Sequence, residues 1–247
     1  MPTIRLITAG CMPRELDLNA IISWKTSVFK IADKIENFEF RLNSDLPDWG
    51  FSDSNLRKLI SNSTSADFTL LLVNIPLEGN YYSRRITQNF IVGTFYEIKH
   101  HLLFSNIPLH NMVLRALYAY ALLFIEAGNR IPAQSENYNF THHETRGCLY
   151  DMTGNKEEVV ESCSDPIICA ECQERLRSKL VSNDIIHNAQ QELKKIRKGL
   201  YYRVIDFVKK YPLFSLFLSS TFALILGTLS SILGSLIYRA MQHKFNL

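Results

Sequence analysis

The sequence predicts an α/β (α+β) soluble domain with a Cys-rich zinc subdomain, followed by one C-terminal transmembrane helix. Three observations lead there: strand and helix patterns alternating over the first 130 residues, a His/Cys cluster between His142 and Cys172, and an uncharged apolar run from Leu213 to Ile237.

Ile4–Ile7 reads as a strand, and residues 16–34 as a helix, because Leu18, Ile21, Ile22, Val28, Ile31 and Ile35 recur at helical spacing. Phe38–Leu42 alternates as a half-buried strand does, and a short helix is expected around 55–61, capped by Ser52 or Asp53. Phe68–Val73 is a continuous apolar run of strand length, the pattern of a central strand covered on both faces. Asn89–Phe95 reads as the next strand. His110–Ala127 is a strongly apolar helix with Gly128 as its C-cap residue. Residues 129–141 are loop-like. The expected division is 1–141 for the α/β sensor domain, 142–180 for the Cys-rich segment, 181–211 for a basic helical connector that Gly199 is placed to break, 212–238 for the transmembrane helix and 239–247 for a short external tail.

With 21% charged and 11% aromatic residues, the soluble part can bury a core and is not a disordered tether. A net charge of +3 is too small to imply nucleic-acid binding by itself. The start, Met1–Ile7, lacks a charged leader region and a long apolar run, so no secretory signal is expected. Five cysteines, three of them close together, fit a reducing compartment and a metal site better than a disulfide framework.

At 1.5 Å per residue, the 25 positions from Leu213 to Ile237 exceed a hydrocarbon core of roughly 30 Å, so a helix there can span with some tilt. Lys194, Lys195, Arg197, Lys198, Arg203, Lys209 and Lys210 precede the run, whereas only Arg239 and Lys244 follow it. The positive-inside rule then places the large domain in the cytoplasm of a single-pass inner (plasma) membrane protein. The short segment after the span implies largely post-translational insertion, as in tail-anchored proteins. Ser219, Ala223, Gly227, Ser231 and Ser235 form a small-residue stripe, which lets helices approach closely and favours a homo-oligomer, for instance a tetramer. The same hydroxyl-bearing stripe could face a pore.

The strongest chemical signal is His143-x4-Cys148-x14-Cys163-x5-Cys169-x2-Cys172. A Cys-x2-Cys pair turns both sulfurs toward one metal, and a second His/Cys pair completes a tetrahedron around zinc. His143, Cys148, Cys169 and Cys172 are the favoured ligands. Cys163 competes for a place, and His142 could replace His143. Four protein ligands leave no position for water, so such a zinc is structural.

Gly147-Cys148-Leu149-Tyr150-Asp151-Met152, followed about 20 residues later by Cys169-x2-Cys172 and a Leu-containing helix, resembles the C-terminal part of archaemetzincin-like proteins. The resemblance covers about residues 65–180 and implies a zincin-like layout, with a Cys-rich zinc site beside an upstream catalytic helix. The family's protease helix carries His-Glu-x2-His, and His110–Ala127 has no such pair. The nearest imitation is Glu97-x2-His100, with Tyr96 where a His is needed. The chain therefore reads as a degenerate zincin-like domain reused for binding. A phosphate-binding glycine loop, a nucleophile elbow and Gly-x-Gly-x2-Gly are all missing from the sequence.

The segment Leu77–Arg85 joins two stackable rings, Tyr81 and Tyr82, to two guanidinium groups, Arg84 and Arg85. Arg115, alone on the apolar helix, wants a carboxylate or phosphate partner, and Arg130 and Arg146 could join it. These five tyrosines and arginines are the candidates for a nucleotide or oligonucleotide ligand; the alternative is that the arginines pair with Glu78 or Glu97. The whole organisation looks like the membrane effectors of bacterial anti-phage signalling systems. That likeness implies a ligand-gated oligomer acting as an ion channel or membrane-disrupting pore, without enzymatic activity. A membrane-tethered zinc metallopeptidase using His100 or His101, and a tail-anchored scaffold, are the competing expectations.

Overall fold

The computed structural model describes residues 1–32, 34–59, 66–143, 145–152 and 155–245. Residues 60–61 of the helix expected around 55–61, and the last two residues of the external tail, lie outside them. The described residues form two compact units, 1–198 and 199–247. The first contains β1 (Thr3–Ala9), α1 (Leu18–Ile22), β2 (Lys30–Ile31), β3 (Glu36–Phe38), α2 (Asp53–Leu56), β4 (Phe68–Val73), β5 (Ser83–Thr87), β6 (Phe90–Thr94), α3 (Ile98–Phe104), α4 (Leu109–Glu126), α5 (Val159–Ser164), α6 (Ala170–Ser178) and α7 (Asn183–Leu193). The second contains α8 (Leu200–Lys210) and α9 (Pro212–Phe245).

The sheet runs β2-β1-β4-β6-β5, and β3 also pairs with β1. All ladders are parallel except β5 on β6, so β5 is an antiparallel edge strand. Period-2 geometry divides the strand side chains between two cores. Ile4, Leu6, Phe68, Leu70, Leu72 and Ile91 join the cluster containing α4. Ile7, Ala9, Leu71, Val73 and Val92 turn the other way, onto Phe51, Leu56 and Leu77. Burial on both faces explains why β4 is apolar apart from Thr69; each apolar side chain taken out of water contributes roughly 1.5–3 kcal/mol.

Helix α4 lies inside the first core and is apolar nearly all round for the same reason. Buried polar groups need partners, and Asn111, Tyr118 and Glu126 find theirs in later segments. Asn111 donates to the Cys163 carbonyl at 2.9 Å. The Tyr118 hydroxyl donates to Glu192 of α7 at 2.5 Å, and Glu126 pairs with Arg175 of α6 at 3.0 Å.

The helix expected over 16–34 is only α1. Asp17 caps it by accepting from the Ala20 N–H, and Ser23 closes it. The chain beyond is taken up by tertiary contacts: Trp24 Nε1 donates to Tyr118 Oη at 2.9 Å, and Val28 and Phe29 enter the core. Lys30 and Ala32 then hydrogen-bond to the backbone beside β1. Phe38–Leu42 contributes only its first residue to the sheet, through β3. Ser52 is the cap of α2, its Oγ accepting from Asn55 N. The 181–211 stretch holds two helices: α7 buries Ile186, Ala189 and Leu193 in the first unit, and α8 begins after Gly199.

Glu192 ties α7 down by accepting from Thr26 Oγ1 (2.6 Å), Ser27 N (2.8 Å), Ser27 Oγ (2.9 Å) and Tyr118. Burial raises its pKa, but these hydrogen bonds outweigh burial and hold it below the ordinary 4.5. The stabilisation is therefore present above that value and is lost as pH falls through the lowered folded one. Glu192→Ala should cost about 3 kcal/mol at neutral pH, charge-assisted bonds being lost and donors orphaned. Thermal denaturation of both forms should show a constant gap at neutral pH that narrows only below pH 4.5.

Candidate metal centre and ligand cleft

The described residues of 142–176 carry little sheet structure; isolated bridges tie the segment to itself and side chains hold it against α4. His142 bridges Asp151, and Cys148 bridges Ile167. Gly147 supports the turn before Cys148 at φ +84°, a conformation that L side chains rarely adopt. Cys169 is the N-cap of α6, where its sulfur accepts from the Cys172 N–H at 3.5 Å. The Cys-x2-Cys spacing thus sets the two sulfurs over the first turn of one helix, with its N–H groups toward them.

The ligand atoms of His142, Cys148, Cys169 and Cys172 all lie within 4.8 Å of one another. His142 Nε2 is 3.3 Å from Cys148 Sγ and 3.4 Å from Cys169 Sγ, and the Cys148 and Cys172 sulfurs are 3.7 Å apart. A tetrahedron with zinc–sulfur arms of about 2.3 Å has edges of about 3.8 Å, so the set fits zinc. Three sulfurs and one imidazole fill four positions, which makes the site structural. The contact with the Cys172 sulfur pulls the Cys148 thiol well below its ordinary pKa against the effect of burial, and Cys172 is itself pushed up.

His143, the favoured nitrogen ligand, is corrected to His142. The His143 ring is exposed, while its carbonyl lies 3.2 Å from His142 Nδ1 and orients the ring that joins the cluster. Cys163 is fully buried away from the cluster, and burial pushes its thiol up to about 12. His101 lies 3.8 Å from Glu157, and no second group of three metal-ligating side chains occurs among the described residues.

Tyr81, Tyr82, Arg84, Arg85 and Arg115 all line one cleft of about 460 Å³ between β5, α4 and the loops around 134–141 and 149–152. Arg84 is committed to Asp53, with both bonds at 2.6 Å, and lies over the Tyr81 ring. Arg85 is 6% exposed; it donates to the Pro132 carbonyl at 2.8 Å and stacks on Phe140. Arg115 is 2% exposed and donates to Ser162 Oγ (2.6 Å), Tyr82 Oη (3.2 Å) and the Leu149 carbonyl (3.1 Å). Arg85 and Arg115 form no ion pair with a carboxylate among the described residues. Two guanidinium charges held by neutral acceptors give the cleft a positive interior, which favours an anion. Asp151 on the wall offsets part of it; Glu136 is engaged by Arg130 at 2.6 Å and by the Ala133 N–H at 2.7 Å. Arg130 and Arg146 are outside the lining, Arg146 facing Glu161 at 3.7 Å.

Sequence reasoning missed Tyr120, Tyr138, Phe140 and Tyr150 on the walls. The alternation of amides and rings in Asn137-Tyr138-Asn139-Phe140 was the available signal. Tyr120 touches Ser83 Oγ at 2.5 Å, and burial pushes its hydroxyl up to about 12, so it stays neutral.

Fold and site define a mixed α/β zinc-binding domain, joined in the same chain to a helix long and apolar enough to cross a membrane. No family model and no curated protein matches the chain. Among solved structures, the crystal structure of archaemetzincin from Methanopyrus kandleri is similar at 14% identity and a TM-score of 0.43, covering 72% of this chain and 95% of that one.

Metal analysis of the purified chain should give one zinc per molecule. His142→Ala should lose most of it, while His143→Ala and Cys163→Ala should retain it.

Proposed function

We propose that the chain is a membrane-anchored effector whose cytoplasmic domain senses an anionic, ring-bearing ligand in the cleft. The observation that carries this is the convergence of Tyr81, Tyr82, Arg85 and Arg115 on one cavity, with both of these arginines buried and unpaired by carboxylates among the described residues. A phosphate supplies the missing charge and a base the stacking partner, so a nucleotide or oligonucleotide fits the chemistry. The zinc holds the 142–176 wall of the cleft and takes no part in turnover.

Anchoring rests on α9, whose stretch Pro212–Arg239 contains an 18-residue window with a mean hydropathy of 1.9. Its 28 residues measure about 42 Å, more than the hydrocarbon thickness. The stripe Ser219, Ala223, Gly227, Ser231 and Ser235 supports association of copies. The Ser219 and Ser235 hydroxyls bond to carbonyls of their own helix, which lowers their cost in lipid. A ligand preferring one arrangement of the assembly over another would gate it. The finer reading, a pore in the inner membrane serving anti-phage defence, rests on organisation alone.

Thermal-shift titration of the detergent-solubilised chain with AMP, a diadenylate and adenosine tests the sensor. The phosphate-bearing probes should stabilise it, adenosine should not, and Arg85→Gln should weaken binding at least about tenfold, the loss expected from one charge-assisted bond. No shift with any probe, or an equal shift with adenosine, contradicts the reading. Gly227→Ile with Ser231→Ile should reduce the detergent-solubilised mass to that of a monomer. An unchanged mass favours the scaffold, and two zinc ions per chain favour the tethered metallopeptidase.

A further inference from the structure

Within the second unit, helix α8 carries a largely exposed apolar face. At 100° per residue, Leu200, Val204, Phe207, Val208 and Tyr211 fall on one side, and Arg203, Asp206, Lys209 and Lys210 on the other. Leu200 is 73% exposed, Val204 52% and Val208 44%. An isolated helix shorter than about 12–15 residues is marginal in water, so eleven residues of this composition call for a surface.

Two observations say which surface. The apolar face of α8 continues directly onto α9: the Phe207 ring lies 5.5 Å from that of Tyr211 and 6.1 Å from that of Phe214. Tyr211 itself leaves the helical region (φ −130°, ψ 64°), so α8 is a separate helix joined by a bend and not the first turns of the span. Its opposite face is basic apart from Asp206, and Lys194, Lys195, Arg197 and Lys198 come just before it. An apolar stripe continuous with a lipid-facing helix, backed by lysine and arginine, matches the boundary of an anionic bilayer.

We propose that α8 lies in the plane of the cytoplasmic membrane surface, with Val204, Phe207 and Val208 among the acyl chains and Arg203, Lys209 and Lys210 at anionic headgroups. This rests on reading α9 as a membrane span. The chain would then hold the membrane by a crossing helix and a lying one.

Spin labels on the full chain test it, in a Cys11→Ser background reconstituted into phosphatidylglycerol–phosphatidylcholine vesicles. Labels go on Val204→Cys and Val208→Cys, on Lys209→Cys opposite, and on Leu224→Cys within the span. The Val204 and Val208 labels should relax several-fold more with oxygen than with a water-soluble nickel chelate, and the Lys209 label the reverse. If the Leu224 label meets nickel, the span fails and this inference with it. If Leu224 is in lipid while Val204 and Val208 meet nickel as freely as Lys209, the inference alone is overturned. It is equally overturned if those two labels are shielded from both reagents, with dipolar broadening marking a second copy and its absence marking the chain's own sensor domain.

Discussion

Four side-chain atoms within 4.8 Å of one another hold together a segment with little regular structure. Among the described residues between His142 and Cys172 the backbone offers isolated bridges and short helical turns, too little pairing to fix its own path. The Cys3His set supplies the constraint, and the rest follows from where it pins the chain. With Cys148 in place, Leu149 and Tyr150 are pressed on α4, where the Tyr150 hydroxyl donates to the Ala119 carbonyl at 3.0 Å. The Leu149 carbonyl then accepts from Arg115, and the 149–152 loop closes one wall of the cleft. The metal centre and the cleft are thus two sides of one loop.

A second constraint comes from α4. A helix surrounded by protein can carry only polar side chains that find partners, and four of its buried ones find them in later segments. Asn111 reaches the end of α5, Arg115 reaches Ser162, Tyr118 reaches α7 and Glu126 reaches α6. These bonds add modest net stability, but leaving any one unmade is costly, so they select a single docking for the C-terminal half of the first unit.

Elements whose pattern is set by their own burial were legible in the sequence: β4, β6, α4 and the apolar run of α9. The 16–34 helix was not, because Thr26 and Ser27 are claimed by Glu192, 166 and 165 residues away, and no local pattern reports that. The edge strand β5 was hidden because the adjacent Arg84 and Arg85 break the alternation of a strand. Cys-x2-Cys announced the metal, yet spacing could not choose between His142 and His143. Adjacent side chains in extended chain point opposite ways, and the bridge from His142 to Asp151 decides which one turns inward. The arginines and tyrosines of the cleft were recognisable by type; of the walls, 134–141 left only the alternation of amides and rings in Asn137–Phe140, and the position of 149–152 depends on the metal-held path.

X-ray absorption at the zinc edge of the full chain reads the central constraint directly. The account predicts three sulfurs at about 2.3 Å and one nitrogen at about 2.0 Å, with no oxygen in the shell. A shell containing a water oxygen, or one with fewer than three sulfurs, would contradict it.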